Sequence, residues 1–238
     1  MNPWRILLSD GIQALCKADT DIEQVIAFRF EEIIALLDRY VGEIELFNNA
    51  YGLVGVKNSE ELVIKHILDS LAPLGIIYRS LKAANGDEKN LQIADAGSGA
   101  GLPGIPLAIT LPDYNFTLIE RMGRRAGFLW NTKAVLGLSN ITVEEGELEK
   151  TSGGRFSLIT FRAFKPLEPK LMTALINACT EKGIIAAYKG RREKIEQEVS
   201  KFKNNNTIIT ERRTHNWEIF PYNVPNLNEE RHLLIIHT

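Results

Sequence analysis

The chain of 238 residues lacks several features that would place a protein at once. It has only two cysteines, Cys16 and Cys179, with neither CxxC spacing nor a histidine pair nearby. That excludes a disulfide framework and a cysteine-ligated structural zinc, and it fits a reducing compartment. The four histidines show no metal-ligand spacing, so no metal is expected. No apolar run approaches the roughly 20 residues that span a bilayer, so no membrane partner is expected either. The first 17 residues carry a short apolar patch without a basic flank or a small-residue cleavage site, which argues against a secretory signal and for the cytoplasm. Charge of one sign is missing too: the formal net charge is −2. The whole-protein field will not draw this chain onto a polyanion, so any contact with nucleic acid must come from local basic patches. Repeats and low-complexity tracts are absent.

What is present is ordinary globular material, 45% hydrophobic, in a length that suits one large α/β unit with a small appendage. Apolar residues recur at three- and four-residue spacing over Asp21–Tyr40 and Ser59–Leu71, which predicts helices. The polar stretch Ala83–Asn90 contains glycine and reads as a linker, dividing a helical N-terminal extension (1–82) from a core (83–238). Strands are predicted at Gln92–Ala96, Asn115–Glu120, Ile141–Glu145, Ser157–Phe161 and Gly183–Tyr188. Helices are predicted between most of them: one opening near Leu102, then Gly123–Leu136 and Leu167–Thr180, with Arg191–Phe202 after the fifth strand. Two final strands, Thr207–Arg213 (extending as far as Phe220) and His232–His237, have no helix between them. The expected fold is α/β: a doubly wound, mostly parallel seven-stranded sheet of the methyltransferase kind with a terminal antiparallel hairpin.

The chemistry concentrates at Asp95-Ala96-Gly97-Ser98-Gly99-Ala100-Gly101, which ends a strand and opens a helix. Glycines there permit positive φ and let a ligand approach the main chain without meeting a Cβ, at the place where doubly wound sheets bind nucleotides. Asp95 is placed to hold the loop or order water near a cofactor's amino-acid part. The same string contains G-x-G-x-x-G over Gly99–Gly104, so a dinucleotide site competes. That reading needs the strand to run through Gly97 and Ser98, whereas its apolar residues stop before Gly97, which favours S-adenosylmethionine. Glu120, about twenty residues past the glycines, is placed to accept hydrogen bonds from a ribose diol and serves either cofactor. A Walker-type phosphate loop is absent.

The run Asp95–Ala108 resembles the glycine loop of the RsmG (GidB) family, bacterial enzymes that methylate N7 of one guanine in 16S ribosomal RNA. The resemblance extends from about Tyr40 to the C-terminus. Lys65-His66-Ile67-Leu68-Asp69-Ser70-Leu71, Phe161-Arg162-Ala163-Phe164, Lys189-Gly190, Val224-Pro225 and Glu230-Arg231-His232-Leu233-Leu234 are similar to family segments in order and spacing. It implies cofactor contacts at Gly97 and Leu102, at Leu148-Glu149 and at Arg162, with Gly99 and Gly101 in the same loop. Two positions depart from the family pattern, Arg121 and Phe161, both usually serine. The resemblance implies 16S ribosomal RNA or the small ribosomal subunit as partner. The oligomeric state stays open, with a monomer favoured.

Methyl transfer from a sulfonium needs alignment above all, and guanine N7 has an exposed lone pair, so no acid–base catalyst is expected. Asn/Asp-Pro-Pro-aromatic and catalytic-cysteine patterns, which mark other base methylations, are absent. Arg162 at a strand end could hold a carboxylate or a phosphate, or form a structural ion pair. Phe161 and Phe164 could stack on a flipped-out base, or sit in the core. Candidate RNA contacts are Arg121, Arg124 and Arg125, Phe164 and Lys165, and Lys189, Arg191 and Arg192; solvated faces with pairs such as Arg192–Glu196 are the bland reading of the basic clusters. Arg212-Arg213 forms a third basic group. The lone His66 on an apolar stretch reads as a core residue. The competing functions are a small-molecule methyltransferase and a nucleotide-sensing protein without catalysis.

Overall fold

A computed structural model of the chain describes residues 3–151, 153–163, 167–204 and 215–238. Phe164, Lys165 and the Arg212-Arg213 pair, and with them the whole of the strand expected at Thr207–Arg213, lie outside the described residues; its expected continuation toward Phe220 is described.

The N-terminal third is helical: α1 (Pro3–Ala18), α2 (Thr20–Ile26), α3 (Phe30–Tyr51), then α4 (Ser59–Leu62), α5 (Asp69–Leu71) and α6 (Leu74–Asn85). Asp19 accepts the Asp21 N–H and starts α2; Asn58 does the same for α4 through the Glu61 N–H. The helix expected over Asp21–Tyr40 is broken by a 3₁₀ turn at Ala27–Arg29 and then runs on to Tyr51, where Gly52 ends it in the left-handed conformation. Between α4 and α5 lies a π-helical turn, Val63–Leu68.

The sheet strands are β1 (Gln92–Ala96), β2 (Asn115–Glu120), β3 (Ile141–Glu145), β4 (Phe156–Arg162), β5 (Cys179–Lys189), β6 (Trp217–Tyr222) and β7 (Arg231–His237). Their order is β3-β2-β1-β4-β5-β7-β6, parallel except where β7 runs antiparallel between β5 and β6. Helices α7 (Gly104–Thr110), α8 (Gly123–Leu136), α9 (Pro169–Ala178) and α10 (Arg192–Asn204) connect the parallel strands or follow them. Strands β1, β2 and β3 coincide with their predicted spans; β5 begins four residues early, before Gly183.

Burial on both faces explains why the strands read as continuous apolar runs. Ile93, Leu158, Ile184, Ala186, Leu233 and Ile235 face one way, into a cluster with Leu8, Ile33, Leu37 and Ile67 of the N-terminal helices. Their alternates Ala94, Ile159, Ile185, Ala187, Leu234 and Ile236 face the other way, against Leu171 and Leu175 of α9 and Ile195 of α10. The chain reverses direction across the sheet between β1 and β4, and in such sheets ligands sit beyond the carboxyl ends of the strands at that switch point.

Candidate functional site

Two cavities open at that end of the sheet. The first, about 390 Å³, is walled by Gly97, Ile119, Glu120, Arg121, Arg125 and Leu148, among others; the second, about 500 Å³, lies on the far side of Ala163. Ala163 belongs to both walls and has φ +50, in the left-handed region that a residue with a Cβ seldom occupies. Such strain is characteristic of functional sites.

The glycine turn is held from three directions. Gly97 and Ser98 donate their N–H groups to Ile119 O of β2 at 2.9 and 3.1 Å. Glu120 accepts the Gly99 N–H at 2.8 Å and the Met122 N–H at 2.9 Å, one on each carboxylate oxygen. Buried Tyr40 of α3 donates its hydroxyl to Ala100 O at 2.6 Å, tying the helical extension to the turn. The glycines divide the work. Gly97 (φ +68) is on the cavity wall. Gly101 (φ +89) has no room for a Cβ, which would collide with Ile105 Cδ1 and press on Leu129. Its role is close packing beneath the turn.

Asp95 is fully buried and off the cavity wall. One oxygen accepts the Gly104 N–H at 3.0 Å, and the other has no partner among the described residues. Burial pushes its carboxyl up to about 7. The structure therefore gives Asp95 the loop-holding half of its expected role. Leu102 is buried in the turn, while Leu148 and Glu149 lie on the cavity wall in a 3₁₀ turn after β3.

The residues present fit an adenosyl cofactor. A wall glycine without Cβ, a carboxylate at the end of β2 with lone pairs to spare, and the apolar Ile119 and Leu148 match a backbone-approached chain, a ribose diol and a purine ring. Among the described residues no group of three His, Cys, Asp or Glu side chains could hold a metal ion. No described helix is long and apolar enough to cross a membrane.

Arg162 lies on the second cavity, where it is fixed by the π-helical turn. One guanidinium nitrogen donates to Lys65 O at 3.2 Å and to Asp69 at 3.1 Å; the other meets His66 Nδ1 at 2.8 Å. Asp69, 3% exposed, also receives the Tyr222 hydroxyl at 3.1 Å and faces Arg231 Nε at 3.3 Å. Burial and the Arg162 cation hold the His66 imidazole down at about 3. Tyr188, Lys189 and Gly190 complete the wall. Phe161, 1% exposed, packs in the core beneath it, which leaves no exposed ring face there for base stacking.

The basic candidates separate. Arg121 and Arg125 border the first cavity, Arg125 also donating to Gly52 O at 3.1 Å; Arg124 is exposed beside them. Lys189 pairs with Glu198 at 2.6 Å, Arg192 with Glu196 at 2.8 Å, and Arg191 is exposed. Asp69 and Arg231 entered the sequence reasoning only within family-like segments, and neither they nor Tyr188 and Tyr222 were expected at a site. One signal was available: an acid on an otherwise apolar helical run, Ile67-Leu68-Asp69-Ser70-Leu71, must be buried with a partner.

Comparison with known proteins follows the same line. A family model described as GidB, rRNA small subunit methyltransferase G, matches residues 33–219. Ribosomal RNA small subunit methyltransferase G of Treponema denticola is 39% identical, over 97% of this chain and 95% of its own length. The Treponema pallidum protein of that name is 37% identical, over 98% and 93%. Among solved structures, one from Methanococcus maripaludis, described as an S-adenosyl-L-methionine-dependent methyltransferase, superposes with a TM-score of 0.55 at 17% identity, covering 82% of this chain and 90% of that one. A SAM-dependent methyltransferase from Aquifex aeolicus gives 0.50 at 16%, covering 71% and 91%. These two likenesses establish the fold.

Proposed function

The chain belongs to the GidB family of small-subunit ribosomal RNA methyltransferases and uses S-adenosylmethionine, and on that premise we propose that its target atom is N7 of a guanine in 16S ribosomal RNA. The observation that carries this reading is the pair of cavities meeting at Ala163: one fits the donor, and the other is walled by Lys65, Arg162, Lys189 and Arg231 with a single carboxylate, Asp69. A small-molecule methyltransferase has no need of four cationic side chains on one wall, even paired as these are with Glu61, Asp69, Glu198 and Glu229, and a binding protein without catalysis has no need of a second cavity at all.

S-adenosylmethionine supplies an electrophilic methyl carbon on a positively charged sulfur. The protein's part is alignment. Gly97 would let the cofactor approach the main chain, Glu120 would accept from the ribose while it holds the Gly99 and Met122 amides, and Leu148 with Glu149 would border the adenine. Leu102 and Asp95 keep the turn in shape from behind. Guanine N7 presents its lone pair without a proton to remove, so these residues move none during transfer, and no general base is required. The exposed Arg121, Arg124, Arg191 and Arg192, with Phe164 and Lys165 beside the junction in sequence, are the candidates for RNA contact. The helical extension, expected at 1–82, supplies one wall of the second cavity to the core, expected at 83–238; α6 crosses that boundary and takes Ala83–Asn85 of the expected linker into the helix. A monomer working in the cytoplasm suffices for this reading.

Labelled S-adenosylmethionine offered to the protein with unmethylated small ribosomal subunits is expected to yield N7-methylguanosine in their RNA. Label confined to protein or small metabolites would reject the reading. Gly99→Val, which places a β-branched residue at φ +58, is expected to abolish adenosylhomocysteine binding by calorimetry while the melting transition persists.

A further inference from the structure

We propose that the cavity on the Arg162 side of Ala163 receives the target guanine, turned out of its RNA stack, and that the Nε2–H of His66 reads the guanine O6. The inference rests on the methyl-transfer reading above and adds where the base sits and what distinguishes it from adenine.

Placement is the first argument. The cavity shares Ala163 with the donor cavity, so a ring inside it can bring one edge to the reacting carbon. Its volume, about 500 Å³, lies within the range of small-ligand sites and admits a purine nucleoside. Chemistry on a base requires that the base leave the stack and enter a pocket of this kind.

The π-helical turn is the second argument. Helices seldom adopt this wider turn, and it occurs mostly at functional sites. Here, at Val63–Leu68, Lys65 O and His66 O both lie within reach of the Arg162 guanidinium, at 3.2 and 3.5 Å. The turn also carries His66 onto the cavity wall.

The third argument is the state of the imidazole. A guanidinium only donates, so Arg162 at 2.8 Å from Nδ1 requires that nitrogen to be the acceptor, which puts the ring proton on Nε2. Nε2 is paired with no described residue. The ring therefore offers the cavity one neutral donor and no acceptor. Burial and the neighbouring cation keep it neutral across the working pH range.

Guanine carries acceptors at N7 and O6 on one edge, whereas adenine has an amino donor beside N7. A donor next to the reacting nitrogen pairs with guanine and opposes adenine. As the methyl carbon–sulfur bond breaks and the N7–carbon bond forms, positive charge moves onto the purine. A neutral N–H adds no further positive charge to a wall that already carries Lys65, Arg162, Lys189 and Arg231.

The test uses the full chain, unmethylated small ribosomal subunits and two variants. Gly55 lies on the exposed edge of the cavity; a Cβ there meets nothing within 4 Å, and its backbone is not left-handed. Gly55→Trp therefore has room for its side chain at the mouth of the cavity and is expected to obstruct it without disturbing the fold. For Gly55→Trp and His66→Phe, kcat/KM toward the subunits is expected to fall about tenfold or more, as when a polar reading contact or its space is lost, with adenosylhomocysteine affinity unchanged. With adenosylhomocysteine bound, the nitrogen-15 resonance of His66 Nε2 should shift on adding guanosine 5′-monophosphate and stay in place with adenosine 5′-monophosphate. Wild-type turnover in Gly55→Trp, or an equal response to both nucleotides, would overturn the proposal even if His66→Phe failed to fold. Wild-type protein that labels no small-subunit RNA would instead sink the reading beneath it.

Discussion

The two cavities that meet at Ala163 are built in opposite ways. The donor cavity uses short contiguous runs: the glycine turn, the end of β2 with Glu120, and the turn at Leu148-Glu149, each directly after a parallel strand. The second cavity gathers Gly55, the π-helical turn, and the ends of β4, β5, β6 and β7. Main-chain amides and carbonyls of the turn itself take part in every bond that holds the first, to Ile119, Glu120 and Tyr40; the second is held chiefly by side-chain charges converging on Asp69. Mutations in the first should thus act through the local turn, and mutations in the second through partners far away in sequence.

The sharpest way to break this contrast is Asp69→Asn. Arg162, Arg231 and Tyr222 all converge on this carboxylate, and removing one partner of a buried pair costs about 3–5 kcal/mol. A denaturant titration should show that loss in full, while adenosylhomocysteine affinity in the still-folded fraction stays near wild type. Loss of cofactor affinity instead would mean that the two cavities are one coupled unit.

A second test concerns the donor side and pH. The folded Asp95 carboxyl is raised to about 7, so the folded state holds a proton that the unfolded chain releases near the ordinary carboxylate value. Stability from this group is present at low pH and is lost as pH rises through about 7. His66, lowered to about 3, has the opposite sign: the unfolded chain binds the proton first, so stability is lost as pH falls below the ordinary imidazole value. Asp95→Asn should therefore melt progressively higher than wild type as pH is raised from about 4 to 8, and His66→Phe should remove the acid-side loss. Parallel melting curves for Asp95→Asn and wild type would show that the buried carboxyl is not raised.

The smallest effects separate the glycines. Gly127 lies within α8 with open space at its Cβ, so Gly127→Ala should stabilise by about 0.5–1 kcal/mol. Gly101→Ala, at φ +89 and against Ile105, should destabilise by about 1–3 kcal/mol. Equal outcomes would deny that the turn is packed as tightly as its backbone implies.

Much of the fold was legible because its signals are local. Strands β1 to β3 and helix α8 fall where period and punctuation put them, since β1 and β2 are short, largely apolar buried runs bounded by turn residues and the edge strand β3 is a short β-branched run bounded the same way. The break in the first long helix was not legible, because Ala27-Phe28-Arg29 carries no glycine or proline to mark it. The distance of Glu120 from the glycines predicted that the two would meet, and Glu120 accepts the Gly99 N–H; Arg162, expected with the cofactor, borders the second cavity. Its spacing says that it ends a strand, but not which of two neighbouring spaces it borders. His66 read as a core residue for the same reason: the amphipathic pattern shows burial and is silent about a guanidinium arriving from a strand 96 residues away.

By itself, then, the sequence determined most of the sheet, the glycine turn after β1 and the carboxylate that ends β2 beside it, because each is a contiguous run whose chemistry depends on its immediate neighbours. Only the tertiary structure decided that Asp69, Arg162, Tyr222 and Arg231 form one buried network beside that turn. Their partnership depends on strand order and on the junction at Ala163, which among the described residues alone borders both cavities, and neither is written in local spacing.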